Sequence, residues 1–530
     1  MRFDSINPII PLIPLLGVGA LSVPRGGIHR QTPRSLLSAD QADLQSRQVQ
    51  DGLGWHGYRS VGYYPNWVIY SDPGYFVNNI TAKDFTHIIY AFANVDPDNG
   101  NVYLSDPWAD TQYPYPGDNT EEPGNNLYGN LKQLFLLKEA NRNLKIQLGI
   151  GGATYSANFA KINDAQWRQN FADSSIALVN NLGFDGVCLD YGIPTTDQSE
   201  ALVDLFRGLR TGLNAAASRN GGGHYLLSWA ASCGAFNWGG QDLAGMDHYL
   251  DYWNLMAYDV QARRLLHVIL AHFTSTQYAL QFSGSWTDTA LPASNLYPDG
   301  MSSDVGASGS QCVQHYVESG VTPRKLNLGL PPYATGFSGT QGMWTTWTDQ
   351  ANFDVKLAPP AGEQLLYNQT LGASWSYSSA TGHVTSFDTP TVAYQKARWV
   401  MNNQVGGMMY WSIDGDYTRL QPQPAPSAIA KRDDGGFIEA RCKKGGYDDD
   451  DEECNGGHHG GDDGGNGGGN GGGDGGGSGG NPTLIDTTIG ISLVDTVVTA
   501  FRRFGGGLDT AQNKINYPNS QYDNVRNGFD

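Results

Sequence analysis

The feature of the sequence that most constrains its fold is a series of eight short apolar runs separated by longer segments with a helical pattern. The runs read SVGYYPNW, THIIYAFANV, LKIQLGIGG, GFDGVCLDY, HYLLSWA, DYWNLMAYD, KLNLGLPPY and GGMMYWS. Strands that alternate with helices indicate parallel β/α units, and eight such units indicate a closed barrel. The sequence therefore predicts an α/β fold, a (β/α)8 or TIM barrel, over residues 58–420.

Three further segments flank or interrupt this barrel. Residues 334–390 are rich in Trp, Tyr and Thr and are too long for a loop, so they predict a small α+β insertion subdomain between strands 7 and 8. Residues 421–482 form an acidic, glycine-rich tract that has too little apolar area to fold, which predicts a disordered linker. Residues 483–530 regain a mixed composition and are expected to form a tail of unknown role.

The amino terminus predicts secretion. One Arg precedes an apolar run, and small residues suit cleavage after Ala20, so residues 1–20 are typical of a signal peptide. An ordinary apolar arm is the alternative, because Pro11 and Pro14 interrupt the run. Residues 21–57 are polar and irregular and are expected to form a leader or disordered arm. The predicted location is extracellular.

Charge narrows the range of partners. The net charge of −19 argues against nucleic acid, whose phosphates need a basic surface, whereas a neutral polysaccharide remains compatible. No membrane partner is expected, because no run after the amino terminus is long and apolar enough to span a bilayer. We expect no cofactor, no metal and a monomer.

The five cysteines leave at least one thiol unpaired. Cys442 and Cys454 bracket an acidic loop and could pair in an oxidising compartment. Cys188 lies within a predicted strand and is expected to be a buried free thiol.

The fourth run carries the candidate chemistry, in the stretch GFDGVCLDYGIP. Alternate side chains of a strand point the same way, so Cys188, Asp190 and Gly192 are expected to share one face. In a barrel of this kind the functional groups come from the carboxyl ends of the strands. We therefore expect Asp190 and position 192 to lie at the mouth of the barrel.

This stretch resembles the signature of glycoside hydrolase family 18, the chitinases, whose pattern is D-G-x-D-x-D-x-E. Asp185, Gly186 and Asp190 match the pattern, whereas Cys188 replaces the middle Asp and Gly192 replaces the Glu. The segments LGIGG, NLMAYD and GGMMYW resemble other strands of the family in the same order. YAFANVDPDNGNVYLSDPWAD and SFDTP are similar to secreted fungal members of class V type.

The resemblance implies a role for each matching residue. The family cleaves β-1,4-linked N-acetylglucosamine polymers through attack by the substrate's own acetamide oxygen, an exception to the two-carboxylate scheme of glycosidases. The resemblance implies that Asp190 orients the acetamide. It places Gly192, which has no proton to give, at the position of the proton donor. It implies sugar contacts by the side chains of Tyr258, Asp259, Tyr63, Phe92, Met256, Trp286 and Trp411, with Trp411 as the apolar floor.

These observations lead to one prediction and two alternatives. We predict a protein that binds chitin or chito-oligosaccharides and hydrolyses them weakly or not at all. A working chitinase with a substitute acid, such as Asp197 or Glu200, is the first alternative. The second is a decaying gene or a coding sequence with a wrongly retained intron, because residues 260–281 interrupt the expected run MAYDFSGSW and begin and end with codons that fit intron borders.

Overall fold

A computed structural model describes residues 55–192, 194–234, 240–259, 289–298, 308–354, 362–416, 484–485 and 491–529. The predicted signal peptide, nearly all of the leader, the interruption at 260–281 and the acidic tract at 421–482 lie outside these residues. The strands are β1 (Arg59–Pro65), β2 (His87–Val95), β3 (Val102–Leu104), β4 (Lys145–Gly151), β5 (Gly186–Asp190), β6 (Leu226–Ser232), β7 (Tyr252–Met256), β8 (Leu326–Leu330), β9 (Tyr333–Ser338), β10 (Asp349–Asp354), β11 (Gln364–Asn368), β12 (Ala373–Ser378), β13 (His383–Ser386), β14 (Gly407–Tyr410) and β15 (Leu484–Ile485).

Eight of these strands close into a parallel barrel. Neighbours pair in the order β1, β2, β4, β5, β6, β7, β8 and β14, and β14 pairs back to β1 with Arg59 opposite Gly407. Each barrel strand coincides with one of the eight apolar runs, because side chains buried on both faces of a parallel strand give a continuous apolar stretch. The predicted (β/α)8 barrel is confirmed, and β3 adds only an antiparallel pairing to β2.

A helix follows each barrel strand except β1, and one further helix comes after the last of these. The helices are α1 (Gly129–Ala140), α2 (Ala165–Leu182), α3 (Ser199–Arg219), α4 (Leu243–Asp247), α5 (Gly309–Glu318), α6 (Pro390–Asn402), α7 (Leu493–Phe504) and α8 (Asp523–Asn527). Between β1 and β2 the chain forms three short 3-10 turns in place of an α-helix. Helix α2 begins after Asp164, whose carboxylate accepts a hydrogen bond from the Trp167 amide, and ends at Gly183 with a left-handed φ of 75°.

The insertion between β8 and β14 forms an antiparallel sheet in the order β10, β9, β13, β12 and β11, and β15, from beyond β14, pairs with β11 at its edge. The predicted insertion between the seventh and eighth barrel strands is thus confirmed, and its sheet begins at Tyr333. A separate apolar cluster that includes Phe337, Trp375 and Val384 holds it together.

Residues 491–529 pack directly on the barrel. Helix α7 follows β14 in space as the eighth barrel helix and buries six residues, namely Leu493, Val494, Val497, Val498, Ala500 and Phe501. The ring of Phe501 stacks on Tyr58 with centroids 4.6 Å apart, and the Tyr58 amide donates to the Gly507 carbonyl at 3.0 Å. The segment expected to be a tail of unknown role therefore supplies part of the barrel wall.

A disulfide joins Cys233, just after β6, to Cys312 in α5. Cys188 is a buried free thiol, as predicted, whereas Cys442 and Cys454 lie outside the described residues. Within the part of the chain that the structure describes, no helix is long and apolar enough to cross a membrane.

Candidate functional site

Strand β5 brings the residues of the central motif to the carboxyl-terminal mouth of the barrel. Asp190 ends the strand and is 7% exposed, and Gly192 follows it in a buried position. Burial raises the pKa of the Asp190 carboxyl to about 7. No side chain in the described ranges hydrogen-bonds this carboxylate, so its oxygens are available to a ligand.

Cys188 and the side chains that hydrogen-bond around it are uncharged. Its Sγ atom shares a hydrogen bond with the Tyr63 hydroxyl at 3.4 Å, and the Asn254 amide nitrogen donates to the same hydroxyl at 3.3 Å. Burial raises the pKa of the thiol to about 12, so it carries no charge at neutral pH. Burial also raises the pKa of Tyr63, with smaller contributions from its neighbours Cys188 and Asp190.

Aromatic rings form the wall beside Asp190. Phe92 stacks on Trp411 with centroids 5.6 Å apart, and Tyr63 meets Trp411 edge to face at 5.4 Å. Trp67 lies 6.3 Å from Phe92 and is 47% exposed, which extends the wall outward. Aromatic faces of this kind are suitable platforms for the apolar face of a sugar ring. Trp67 was not among the predicted site residues, although it ends the first apolar run.

Tyr258 and Asp259 follow β7 at the same mouth of the barrel. The Tyr258 hydroxyl donates to the Met409 sulfur at 3.8 Å, and burial followed by the charge of Asp190 raises its pKa. The Tyr333 hydroxyl donates to the Asp259 carboxylate, whose pKa burial raises to about 7. Asp259 has a left-handed φ of 53°, a conformation that Asp adopts more readily than most residues. Tyr333, on the insertion sheet, was also not predicted.

The structure therefore brings most of the predicted residues together. Tyr63 and Phe92 belong to one buried cluster with Cys188, against which Met256, Tyr258 and Trp411 pack. Trp286 lies outside the described residues. In the parts of the chain that are described, no group of three His, Cys, Asp or Glu side chains is placed to hold a metal ion.

The two candidate substitute acids do not share this environment. Asp197 and Glu200 are exposed, and hydrogen bonds, first from the Thr195 hydroxyl, lower the pKa of Asp197. A general acid needs a raised pKa, so the pKa of Asp197 is shifted in the wrong direction for that role.

Asp185, the first residue of the motif, lies at the opposite end of β5. Its carboxylate pairs with Lys138 at 2.8 Å and accepts from the amides of Ile146 and Lys514 at 2.7 Å each. These contacts join helix α1, strand β4 and the carboxyl-terminal segment. Asp185 therefore stabilises the fold and does not reach the mouth.

Known proteins share both the sequence and the fold of this chain. The model of the family described as "Glycosyl hydrolases family 18" matches residues 59–416. Endochitinase 1 of Metarhizium robertsii is 34% identical over 371 residues, which span 68% of this chain and 82% of that protein. Chitinase 1 of Aphanocladium album is 32% identical over 366 residues, 67% of this chain and 81% of that protein.

Among solved structures, the catalytic domain of psychrophilic chitinase B from Arthrobacter TAD20 superimposes with a TM-score of 0.58 at 25% identity. The match covers 68% of this chain and 93% of that domain. The barrel and its insertion thus have counterparts over nearly the whole of that domain.

Proposed function

Because the chain belongs to family 18 of the glycosyl hydrolases, we propose that it binds chitin or chito-oligosaccharides at the carboxyl-terminal mouth and hydrolyses them weakly or not at all. The observation that carries this proposal is the retention of Asp190 beside an aromatic wall while position 192 has no side chain. A sugar platform and an acetamide partner remain, and the proton donor of the family's pattern is replaced by glycine.

Each remaining group has a physical role in binding. The Trp411 ring, with Phe92 behind it, offers an apolar face to a sugar ring. The Asp190 carboxylate has no side-chain partner in the described ranges, so it accepts the acetamide N–H of the ligand as a charge-assisted hydrogen bond when ionised. Tyr258, next to this charge, donates its hydroxyl to the acetamide or sugar oxygens.

Catalysis is expected to suffer at the step that needs a proton. General acid–base assistance is worth about 10²–10⁴-fold, and a sugar hydroxyl is a poor leaving group without it. The neutral Cys188 thiol in place of a carboxyl also removes a charge that would tune its neighbour.

A working hydrolase is the second candidate, and one observation favours it. Burial gives Asp259 a pKa of about 7, a suitable value for an acid at neutral pH. If Asp259 replaced the missing donor, the wild-type chain would hydrolyse chitotetraose and the Asp259→Asn variant would not.

The test compares three purified full-length chains, wild type, Gly192→Glu and Gly192→Gln, in binding and in hydrolysis. Calorimetry with chitopentaose should give saturable binding for the wild type. Hydrolysis of chitotetraose should rise at least about 100-fold in Gly192→Glu and stay unchanged in Gly192→Gln, because only the first restores an acid. Circular dichroism of each variant controls for folding.

Two results would overturn the proposal. One is turnover by the wild type that Gly192→Glu does not increase, and the other is a folded wild type that fails to bind chito-oligosaccharide. A chain that never accumulates as folded protein would instead favour the decayed-gene alternative.

We also propose that the protein acts outside the cell. The disulfide between Cys233 and Cys312 supports this location, because such bonds persist in oxidising compartments. Detection of the protein in culture medium, with residues 1–20 removed, is the measurement that checks it.

A further inference from the structure

A cavity of about 610 Å³ lies at the amino-terminal mouth of the barrel, where the strands begin. Arg59, His87, Lys145 and Tyr252 line it from the starts of β1, β2, β4 and β7. Asp509 and residues 511–516 of the carboxyl-terminal segment also line it. Its volume is in the range of small-molecule sites, and it is remote from Asp190 at the other mouth.

The charges around this amino-terminal cavity do not balance. Six Lys and Arg side chains line it and only three carboxylates, although the whole chain has 52 acidic and 33 basic residues. Two of the three carboxylates are neutralised by cations outside the cavity: Asp185 pairs with Lys138, and Asp251 pairs with Arg210 at 2.6 Å. The third, Asp509, pairs with Lys145 at 3.0 Å.

Four cations of the lining have only neutral hydrogen-bond partners within the described part of the chain. Arg59 donates to the Asn327 side chain at 2.9 Å and to a backbone carbonyl at 2.5 Å. Arg142 donates to the side chain and carbonyl of Asn513, each at 2.8 Å.

The other two cations lie nearer the rim. The Arg324 guanidinium lies 4.1 Å from the centroid of the Trp55 ring and donates to the Tyr58 hydroxyl at 3.4 Å. Lys514 donates to the carbonyls of Asn220 and Gly222 at 2.9 and 2.8 Å. Half-buried cations whose side chains hydrogen-bond only to neutral groups are costly, and a bound anion would supply the charge-assisted hydrogen bonds that they lack. Burial lowers the pKa of Arg59 to about 10, and the nearby charge of Asp509 opposes this shift only in part.

His87 adds a hydrogen-bond acceptor to the same wall. It is 2% exposed, and its Nδ1 atom lies 2.8 Å from the Thr86 hydroxyl. That hydroxyl also lies 3.1 Å from the Ser60 carbonyl, and we assign it as the donor to this carbonyl, so that Nδ1 carries the imidazole proton and donates to the hydroxyl. The Nε2 atom is therefore an acceptor, and no donor from the described ranges reaches it. Burial lowers the pKa of His87, which keeps the ring neutral.

We propose that this cavity binds a small multivalent oxyanion, either a phosphate or a polycarboxylate. The four cations supply the positive charge, and His87 Nε2 accepts a hydrogen bond from a protonated oxygen of the ligand. Monohydrogen phosphate has both kinds of oxygen, which makes inorganic phosphate the first probe, and citrate distinguishes the polycarboxylate case.

Calorimetry and thermal unfolding of the full chain test this proposal, with phosphate, citrate and chloride compared at matched ionic strength. Phosphate or citrate should bind with a saturable isotherm and raise Tm, and chloride should do neither. Arg324→Gln and Lys514→Gln should each weaken the affinity about tenfold or more, because each removes a charge-assisted hydrogen bond. Both lie at the rim and have neutral partners, so folded variants are expected.

The matched control is Lys161→Gln, which removes the same charge from an exposed side chain paired with Asp98. It should leave the affinity for phosphate unchanged, and all three variants should bind chitopentaose like the wild type. The proposal fails if neither phosphate nor citrate gives saturable binding, or if Lys161→Gln weakens binding as much as the rim variants do.

Discussion

At the scale of single residues, Asp190 is the most informative side chain in the chain. A buried carboxylate without a side-chain partner in the described ranges lowers the stability of the fold when it ionises. The unfolded state releases this proton near pH 4, whereas the native state holds it up to about pH 7. Stability therefore falls as pH rises between these two values. Because the ionised Asp190 carboxylate lowers the stability of the fold, we propose that its role is ligand binding and not stabilisation.

The prediction is that Asp190→Asn removes this pH-dependent cost. Relative to the wild type, the variant should gain about 2–3 kcal/mol of unfolding free energy between pH 5 and pH 8. Urea unfolding at both pH values measures the difference. Asp98→Asn is the control: Lys161 lowers the pKa of Asp98, so this substitution should not produce a gain that grows with pH. Equal pH dependence of Asp190→Asn and wild type would contradict the argument.

The alternation of side chains along a strand predicted the part of this site on β5, but it could not predict contacts between residues far apart in the sequence. Strand alternation is a property of neighbouring residues, so it was sufficient to place Cys188 and Asp190 on one face of β5, where both lie near Tyr63. The contact of Tyr333 with Asp259 joins residues 74 positions apart across two sheets, and no local signal encodes it. Trp67 carried a weak signal, because it ends the first apolar run, but exposure cannot be read from an apolar run.

At the scale of elements, helix α7 completes the eighth β/α unit of the barrel, although a long tract separates it in sequence from its strand β14. Its apolar positions recur with the spacing of an amphipathic helix, and they face the barrel wall. Segments that are adjacent in sequence are expected to pack against each other. The glycine-rich tract separates this helix from β14 in the sequence, so their packing is not evident from it. The eight strands could be predicted because each is a local apolar run, whereas the eighth helix could not be assigned to them. The first unit shows the reverse case, since 3-10 turns replace its expected helix.

We predict that α7 is necessary for the stability of the barrel. Phe501→Ala should lower the unfolding free energy by about 3–5 kcal/mol, because a fully buried ring stacked on Tyr58 is replaced by a cavity. Thr499→Ala on the exposed face of the same helix is the control, with a change within about 0.5 kcal/mol. Chemical denaturation of both variants gives the two values. Similar values for the two substitutions would show that α7 does not contribute to the core.

At the scale of the whole molecule, a hydrogen-bonded junction joins the end of the barrel strands to the start of α7. The Asp416 carboxylate, just after the last barrel strand, accepts hydrogen bonds from the Ser492 hydroxyl and from the Leu493 amide, the latter at 2.8 Å. These contacts cap the start of α7 across a sequence separation of 76. The family match ends at residue 416, so it stops before the helix that completes the barrel.

Two shortened chains follow from this junction and should behave in opposite ways. Deletion of residues 421–482 should leave a folded protein that is equally stable or more stable by about 1–2 kcal/mol, because a shorter loop costs less entropy to close. Truncation after residue 416 should yield no folded protein, because it exposes the wall that Val494, Val497 and Phe501 cover. Circular dichroism and thermal unfolding of both chains, beside the full-length protein, measure the contrast. A truncated chain that unfolds cooperatively near the Tm of the full chain would show that the barrel closes without its eighth helix.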